Sequence, residues 1–114
     1  MRMIYPAAFL LLAATSATAA DIPVAEAAAH AGETATVVGV LSGVHKDSKK
    51  NVYLDMGGNY PDNAFSGILY PHGANPPDFS TLVGKTLAIT GTIKMYHGKP
   101  EIVIDAADQV KVGR

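Results

Sequence analysis

The segment from Leu87 to Ile104 constrains the fold most, because apolar and polar residues alternate along it on both sides of a turn. The apolar positions that recur at a spacing of two are Leu87, Ile89, Ile93, Met95, Ile102 and Ile104. Residues 97–100 contain the glycine and proline that are typical of a tight turn. Gly91, in the middle of the first run, predicts a bend or bulge in a curved sheet. The segment therefore predicts two strands joined by a tight turn.

The first 20 residues have the pattern of a secretory signal peptide. Arg2 is followed by an apolar run from Ile4 to Ala14 and then by small residues that end at Ala20. The run is short against the roughly 20 residues that span a bilayer, so an uncleaved anchor is the less favoured alternative. With no cysteine, the chain has no disulfide and no cysteine for a lipoprotein anchor. We expect a signal peptide over residues 1–20, no membrane span after its removal, and a periplasmic or secreted protein.

Residues 21–114 are expected to form a single domain, because about 94 residues suffice for one hydrophobic core. Removing Arg2 with the signal segment leaves 8 of the 9 basic residues against 10 acidic ones, a formal net charge of −2. A strong nucleic-acid binder is usually clearly basic. The overall charge therefore argues against strong, non-specific binding to nucleic acid, and the placement of individual charges has to decide the question.

Hydrophobic alternation and turn residues divide the domain into short elements. The predicted elements are a helix over Asp21–Gly32, a first strand over Thr34–Val44, a polar turn over His45–Lys50, a second strand over Asn51–Met56, a third strand over Phe65–Tyr70, a short helix capped by Asp78 that contains Phe79, Leu82 and Val83, a fourth strand that begins at Lys85, and a last strand. Three strands, a helix and two strands is the connectivity of the OB-fold, a partly open five-stranded Greek-key barrel. The predicted fold class is therefore mainly β, an OB-fold barrel with an N-terminal helix.

With these motifs the chain resembles the small exported bacterial OB-fold proteins, which are related in fold to nucleic-acid-binding OB domains. The resemblance covers about Gly32 to Val112, and the matching residues are Gly32, Thr36–Val40, Tyr53–Asp55, Tyr60–Asn63, Phe65, Gly84, Lys85, Ile89–Ile93 and Tyr96–Ile102. It implies a periplasmic, stress-type protein whose ligand is a nucleic acid, a small or cationic ligand, or a protein partner. His97 stands where the family often has arginine, and Asp55 where it usually has asparagine. Both departures make the binding surface more acidic.

An OB-fold binds ligands through its second and third strands and through the loops that follow the first and fourth. The candidate ligand-binding residues near these elements are Lys46, Lys49, Lys50, Tyr53, Lys94, Tyr96, His97 and Lys99. The lysines would neutralise phosphates, and Tyr53, Phe65, Tyr70 or Tyr96 would stack on bases. Tyr53 is the best stacking candidate because its alternation turns it away from the core, whereas Phe65 is favoured as a core residue. The open alternative is that residues 46–50 are only a solvated hairpin tip.

Metal binding and catalysis have little support in the sequence. His45 and His97 could approach each other across two loops, but two histidines are too few ligands for a zinc site. Asp55, Asp62 and Asp105 lack the spacing of a calcium loop. The sequence has no nucleophile motif, no zinc-hydrolase motif and no phosphate-binding glycine loop. We therefore expect no metal, no cofactor and no enzymatic activity.

The leading hypothesis is an exported, monomeric, non-enzymatic OB-fold protein that binds single-stranded nucleic acid or another polyanion weakly. If about four phosphates are neutralised, the logarithm of the affinity should fall against the logarithm of the salt concentration with a slope of about −3. The alternative is a periplasmic envelope or stress-response protein that binds a protein partner, a small ligand or a cation through the same face.

Overall fold

The computed structural model describes residues 20–71 and 77–113, and the predicted signal segment over residues 1–20 lies outside them except for Ala20. The described residues form a mainly β structure in which seven strands make one mixed sheet. The strands are β1 Ala20–Pro23, β2 Thr34–Lys46, β3 Val52–Met56, β4 Phe65–Leu69, β5 Thr86–Tyr96, β6 Lys99–Val103 and β7 Val110–Val112. Short 3₁₀ helices cover Val24–His30, Phe79–Leu82 and Ala107–Gln109. Within these residues, no helix has the length and apolar character needed to cross a membrane.

Five of the strands are hydrogen-bonded in a ring. Their order is β2, β3, β4, β6, β5, and β5 pairs again with β2. The ring closes because both long strands change partner along their length. β2 pairs with β5 up to Val40 and with β3 from Leu41, where the register shifts, while β5 pairs with β2 up to Thr92 and with β6 from Ile93. The pair β4 and β6 is parallel, and β1 and β7 extend the sheet outside the ring.

The beginning of the domain differs from the predicted helix over Asp21–Gly32. The structure has β1 followed by a 3₁₀ helix, because Pro23 adopts an extended backbone with φ −73° and ψ 156°. β1 lies parallel to β2 and buries Ile22. β7 was also not predicted, so the sheet has seven strands rather than five. Strands of 3 and 4 residues are too short to show an alternating pattern.

Several other predicted elements are present with small shifts of their boundaries. β2 continues to Lys46, which places His45 on a strand rather than in the predicted turn. The short helix after residue 77 is confirmed as a 3₁₀ turn, and the carboxylate of its cap Asp78 accepts a hydrogen bond from the backbone N–H of Ser80 at 3.0 Å. β5 and β6 meet at a turn in which His97 and Gly98 both have positive φ, at 52° and 80°. These values are those of a tight two-residue hairpin.

The interior of the ring is filled by large apolar side chains from its strands. The most deeply buried are Val37, Leu41, Leu54, Met56, Phe65, Leu87, Ile89, Ile93 and Ile102. Phe65 is therefore a core residue, as predicted. Met95 shares the predicted apolar face but is about half exposed, because β5 extends beyond the buried core after Ile93.

Gly91 lies in β5 two residues before Ile93, where the strand changes its pairing partner from β2 to β6. A Cβ atom there would lie 2.5 Å from Cγ2 of Ile102 and 3.2 Å from Nε2 of Gln109. Because Ile102 is fully buried and stiff at χ1, we expect Gly91→Ala to lower the free energy of unfolding by about 2 kcal/mol. Urea denaturation measures this change, and a midpoint equal to that of the wild type would contradict the close packing of β5 against β6.

Candidate functional site

A row of polar side chains crosses four strands on the outer face of the sheet. Val52 and Leu54 of β3 point into the core, so Asp55 points outward. Asp55 is paired with Ser66 on β4, and Ser66 with Glu101 on β6. Glu101 is paired in turn with Lys94 on β5. The outer face of β3, β4, β6 and β5 therefore carries two carboxylates that are separated by one strand.

Two adjoining clefts lie over this row. The first cleft has a volume of about 380 Å³ and is lined by His45, Lys46, Asp47, Tyr53, Tyr60, Asn63, Ser66, Tyr96, His97, Lys99, Pro100 and Glu101. The second cleft has a volume of about 420 Å³ and is lined by Asp47, Ser48, Lys49, Asn51, Tyr53, Ile68, Tyr70, Tyr96 and Glu101. Asp47, Tyr53, Tyr96 and Glu101 belong to both clefts. The two clefts therefore form one continuous surface, whose floor lies on β4 and β6.

Three aromatic rings are stacked along one wall of the first cleft. The ring of His45 lies parallel to that of Tyr53, with centroids 4.6 Å apart and an interplanar angle of 5°. On the other side, the ring of Tyr60 lies 4.2 Å from His45 with a tilt of 32°. Stacking of this kind holds the rings in fixed orientations. The wall is therefore a preformed aromatic surface.

His45 is held in this stack by a buried carboxylate. Its Nδ1 donates to Oδ2 of Asp55 at 2.6 Å. The other oxygen of Asp55 accepts hydrogen bonds from Oγ of Ser66 at 3.1 Å and from Nδ2 of Asn63 at 3.3 Å. Both oxygens of this buried side chain are thus occupied. A charge-assisted bond to a ring nitrogen fixes both the tautomer and the orientation of the imidazole.

The loop between β3 and β4 is tied to β6 through Asn63. This buried amide also donates to the carbonyl of Phe65 at 3.0 Å and to Oγ of Ser66 at 2.7 Å. Its Oδ1 accepts from Nζ of Lys99 at 3.2 Å, and Lys99 also donates to the carbonyl of Pro61. These bonds hold Lys99 at the rim of the first cleft and position the loop that carries Tyr60.

Asp47 orders the turn between β2 and β3. Its carboxylate accepts from the backbone N–H groups of Lys49 at 2.9 Å and of Asn51 at 3.0 Å, and from Nδ2 of Asn51 at 2.9 Å. Although desolvation acts in the opposite direction, these hydrogen bonds lower the pKa of Asp47. The hydroxyl of Tyr53 also donates to Asp47 at 3.2 Å. Burial and this bond raise the pKa of Tyr53 to about 12, so the phenol stays protonated as a donor.

Glu101 differs from the other polar groups of the two clefts because its carboxylate is buried without a partner. The residue is only 7% exposed. Across residues 20–71 and 77–113, its side chain accepts no hydrogen bond and forms no ion pair. Burial raises its pKa, while the charges of Lys94 and His97 act in the opposite direction. The central carboxylate of the surface therefore has free acceptor positions.

The structure brings together six of the eight predicted site residues. Lys46, Tyr53, Tyr96, His97 and Lys99 line the first cleft, and Lys49 lines the second with Tyr53 and Tyr96. Lys50 lies in the hairpin turn with φ 71° and lines neither cleft. Lys94 also lines neither and lies on β5 opposite Glu101. Of the other predicted stacking residues, Tyr70 lines the second cleft and Phe65 does not contribute.

Seven residues of the first cleft were not among the predicted ligand-binding residues: His45, Asp47, Tyr60, Asn63, Ser66, Pro100 and Glu101. The sequence offered a signal for one of them, because Glu101 precedes the core residue Ile102 and must face outward. His45 was placed in the first predicted binding loop and considered as a metal ligand together with His97, but it was not among the predicted ligand-binding residues. In the part of the chain that the structure describes, no three histidine, aspartate or glutamate side chains are grouped to hold a metal ion.

Comparison with known proteins identifies a fold but no family. The sequence matches no protein-family model and no curated protein. A similar solved structure is that of a chain provisionally described as an aspartyl-tRNA synthetase from Leishmania major Friedlin, with a TM-score of 0.53 and 14% sequence identity. The alignment covers 93% of this chain but 23% of that chain, so this chain spans about a quarter of its length. At this identity the similarity concerns the fold, and it supports an OB-type fold.

Proposed function

We propose that strands β2 to β6 form an OB-fold barrel that binds single-stranded nucleic acid through the two clefts. The order of the ring, β2-β3-β4-β6-β5, and its single parallel pair support a Greek-key barrel of this type. The clefts lie over β3, β4 and β6 and beside the turns that follow β2 and β5, which are the second, third and fifth strands of the barrel and the loops after its first and fourth strands in chain order. That is the surface through which OB-folds bind oligonucleotides.

The observation that carries the proposal is the group of tyrosines with solvent-exposed rings in clefts that have lysines at their rim. Tyr60 is 63% exposed and Tyr96 is 55% exposed, and each contributes a ring to the first cleft. An exposed aromatic ring costs energy in water and gains it when a base stacks on it. Stacking of this kind is tolerant of base identity, and each stacked base contributes about 1–3 kcal/mol.

Lys46, Lys49 and Lys99 are the three lysines that line the clefts. Each would neutralise one phosphate of a strand that lies along the cleft surface. With three phosphate contacts to a single strand, the logarithm of the affinity should fall against the logarithm of the salt concentration with a slope of about −2. This slope is less steep than the one expected from the sequence. The carboxylates of Asp47 and Glu101 in the same clefts limit the affinity, so we expect weak binding.

A second candidate function is binding of an organic cation or a cationic partner through the same clefts. The buried carboxylate of Glu101 favours it, because Tyr53, Tyr70 and Tyr96 lie around the same cleft. Aromatic rings beside a carboxylate attract organic ammonium groups. The proposed signal peptide over residues 1–20 is the support for placing the protein in the periplasm or outside the cell, where free nucleic acid is scarcer. We further propose that the protein acts as a monomer and without catalysis.

The proposal is tested by the fluorescence anisotropy of a labelled 12-nucleotide single strand. Replacing both Lys46 and Lys49 by alanine should weaken binding about tenfold at low salt and make the salt slope less negative. The matched control replaces Lys85 and Lys111, two exposed lysines that line neither cleft, and removes the same charge. This control should bind within about twofold of the wild type. Equal losses in the two double variants, or no binding by the wild type at low salt, would contradict the proposal.

A further inference from the structure

We infer that Glu101 reads the base in the clefts, and that it favours bases with two adjacent N–H donors on the pairing edge, guanine above all, over thymine and uracil. The inference rests on the proposed function and adds to it a preference for particular bases. It assigns a direct contact with the ligand to a residue that was not among the candidate ligand-binding residues predicted from the sequence.

The first step is that the carboxylate of Glu101 lacks a partner within the protein. Ser66, its paired residue on β4, donates its hydroxyl hydrogen to Asp55. Lys94, its paired residue on β5, forms no ion pair with it. Buried polar groups are almost always hydrogen-bonded, and a buried acceptor without a donor destabilises a protein. Both clefts are lined by Glu101, so a ligand that enters them reaches these free acceptor positions.

The second step concerns the part of a nucleotide that would reach Glu101. A phosphate would be repelled by the carboxylate, and it is attracted instead to Lys46, Lys49 and Lys99. A base that stacks on Tyr53 or Tyr96 turns its edge across the cleft surface. The N–H groups on that edge are donors, which a carboxylate accepts. The arrangement therefore directs phosphates to the lysines and base edges to the floor.

The third step concerns which base fits. The pairing edge of guanine presents the N1–H and the N2 amino group side by side, and these two donors match the two oxygens of one carboxylate. Cytosine and adenine present one amino group beside a ring nitrogen that accepts. Thymine and uracil present a single N–H between two carbonyl oxygens, which a carboxylate repels. The expected order of affinity is guanine first, then cytosine and adenine, then thymine and uracil.

The experiment compares three labelled 12-nucleotide single strands at low salt: (TG)6, (TI)6 with inosine in place of guanine, and T12. Inosine lacks the N2 amino group and keeps N1–H, so it removes one of the two donors. We expect the wild type to bind (TG)6 about tenfold more tightly than T12, with (TI)6 in between. Glu101→Gln should abolish this difference and bind T12 more tightly than the wild type, because an amide both donates to a carbonyl and accepts from N3–H.

The possible outcomes separate the inference from the proposed function. If the wild type binds all three strands equally, the inference fails while the proposed function stands. If no strand binds at low salt, the proposed function fails and the inference with it. If Glu101→Gln weakens binding to all three strands alike, Glu101 has only a structural role and the inference is overturned. If spermidine competes with the strands in a way that depends on Glu101, and the strands bind equally, the ligand is an organic cation and the inference is also overturned.

A stability measurement tests the unpartnered carboxylate independently of any ligand. Because burial raises the pKa of Glu101 above its ordinary value of 4.5, ionisation of this group favours the unfolded state. Below pH 4.5 the side chain is neutral in both states, and its burial does not destabilise the native state. As the pH rises through the raised pKa, the native state loses stability relative to the unfolded state. We expect Glu101→Gln to raise the melting temperature by about 4 °C at neutral pH. The difference from the wild type should vanish below pH 4.5, where both side chains are neutral.

The control for charge removal is Glu26→Gln, an exposed glutamate that lines neither cleft. Its melting temperature and its affinity for all three strands should match those of the wild type. A lower melting temperature for Glu101→Gln at neutral pH would show that the carboxylate has a partner in the folded protein, and would overturn the inference.

Discussion

Replacing Asp55 by alanine is expected to lower the free energy of unfolding by about 3 kcal/mol. The carboxylate is only 2% exposed and accepts hydrogen bonds from His45, Asn63 and Ser66. Its removal takes the acceptor away from the ring N–H of His45 and the hydroxyl of Ser66, while Asn63 keeps its bonds to Phe65 and Ser66. Urea denaturation followed by circular dichroism measures the loss, with the wild type and the variant examined at the same pH.

Two controls define the origin of this loss. Asp55→Asn keeps the shape of the side chain and one acceptor oxygen, and it is the residue that the resembled family usually has there. We expect it to cost about 1 kcal/mol, because only the bond from His45 is exchanged. Asp62→Ala removes an exposed acid from the neighbouring loop and should change the stability by less than about 0.5 kcal/mol. An Asp55→Ala variant as stable as Asp62→Ala would contradict the hydrogen-bond network.

Replacing Tyr96 by alanine is expected to weaken binding of a single-stranded 12-nucleotide probe by at least about tenfold. The ring is half exposed at the end of β5 and lines both clefts, so a base bound in either cleft can reach it. Its one ring contact among the described residues is edge-on to His97, with centroids 4.1 Å apart. The variant should therefore fold normally, and fluorescence anisotropy reports the lost stacking directly.

The control for stacking is Tyr96→Phe, which keeps the ring and removes the hydroxyl. Because the ring carries the stacking energy, this variant should bind within about twofold of the wild type. If both variants bind as tightly as the wild type, Tyr96 does not stack on bases. If both variants lose the same affinity relative to the wild type, the hydroxyl rather than the ring makes the contact.

Much of the sheet could be predicted from the sequence because its signals are local. The alternation of Val52, Leu54 and Met56 indicated the inner face of β3, and all three are buried. The cap at Asp78 indicated the start of a helical turn. The strands β1 and β7 could not be predicted in this way, because their extended backbone depends on pairing with distant segments. Ile22 and Val110 find their positions only against Val37 and Ile89.

The candidate site was predictable where residues lie in the loops that an OB-fold uses. Lys46, Tyr53 and Lys99 were placed at one surface because of their positions relative to the predicted strands. The role of Asp55 as the acceptor for His45 depends instead on the register between β2 and β3. The isolation of Glu101 depends on what its neighbours on β4 and β5 contact. Such properties arise from pairs of residues far apart in the sequence, so no local pattern reports them.

The central claim is that the two clefts bind single-stranded nucleic acid. The most direct test is an NMR titration of the 15N-labelled protein with unlabelled (TG)6 at low salt, following the backbone amide signals. We expect the largest shifts at Lys46, Tyr53, Tyr96 and Glu101, with little change in β1 and β7 outside the ring. Shifts confined to β1 and β7, or none at all, would contradict the claim.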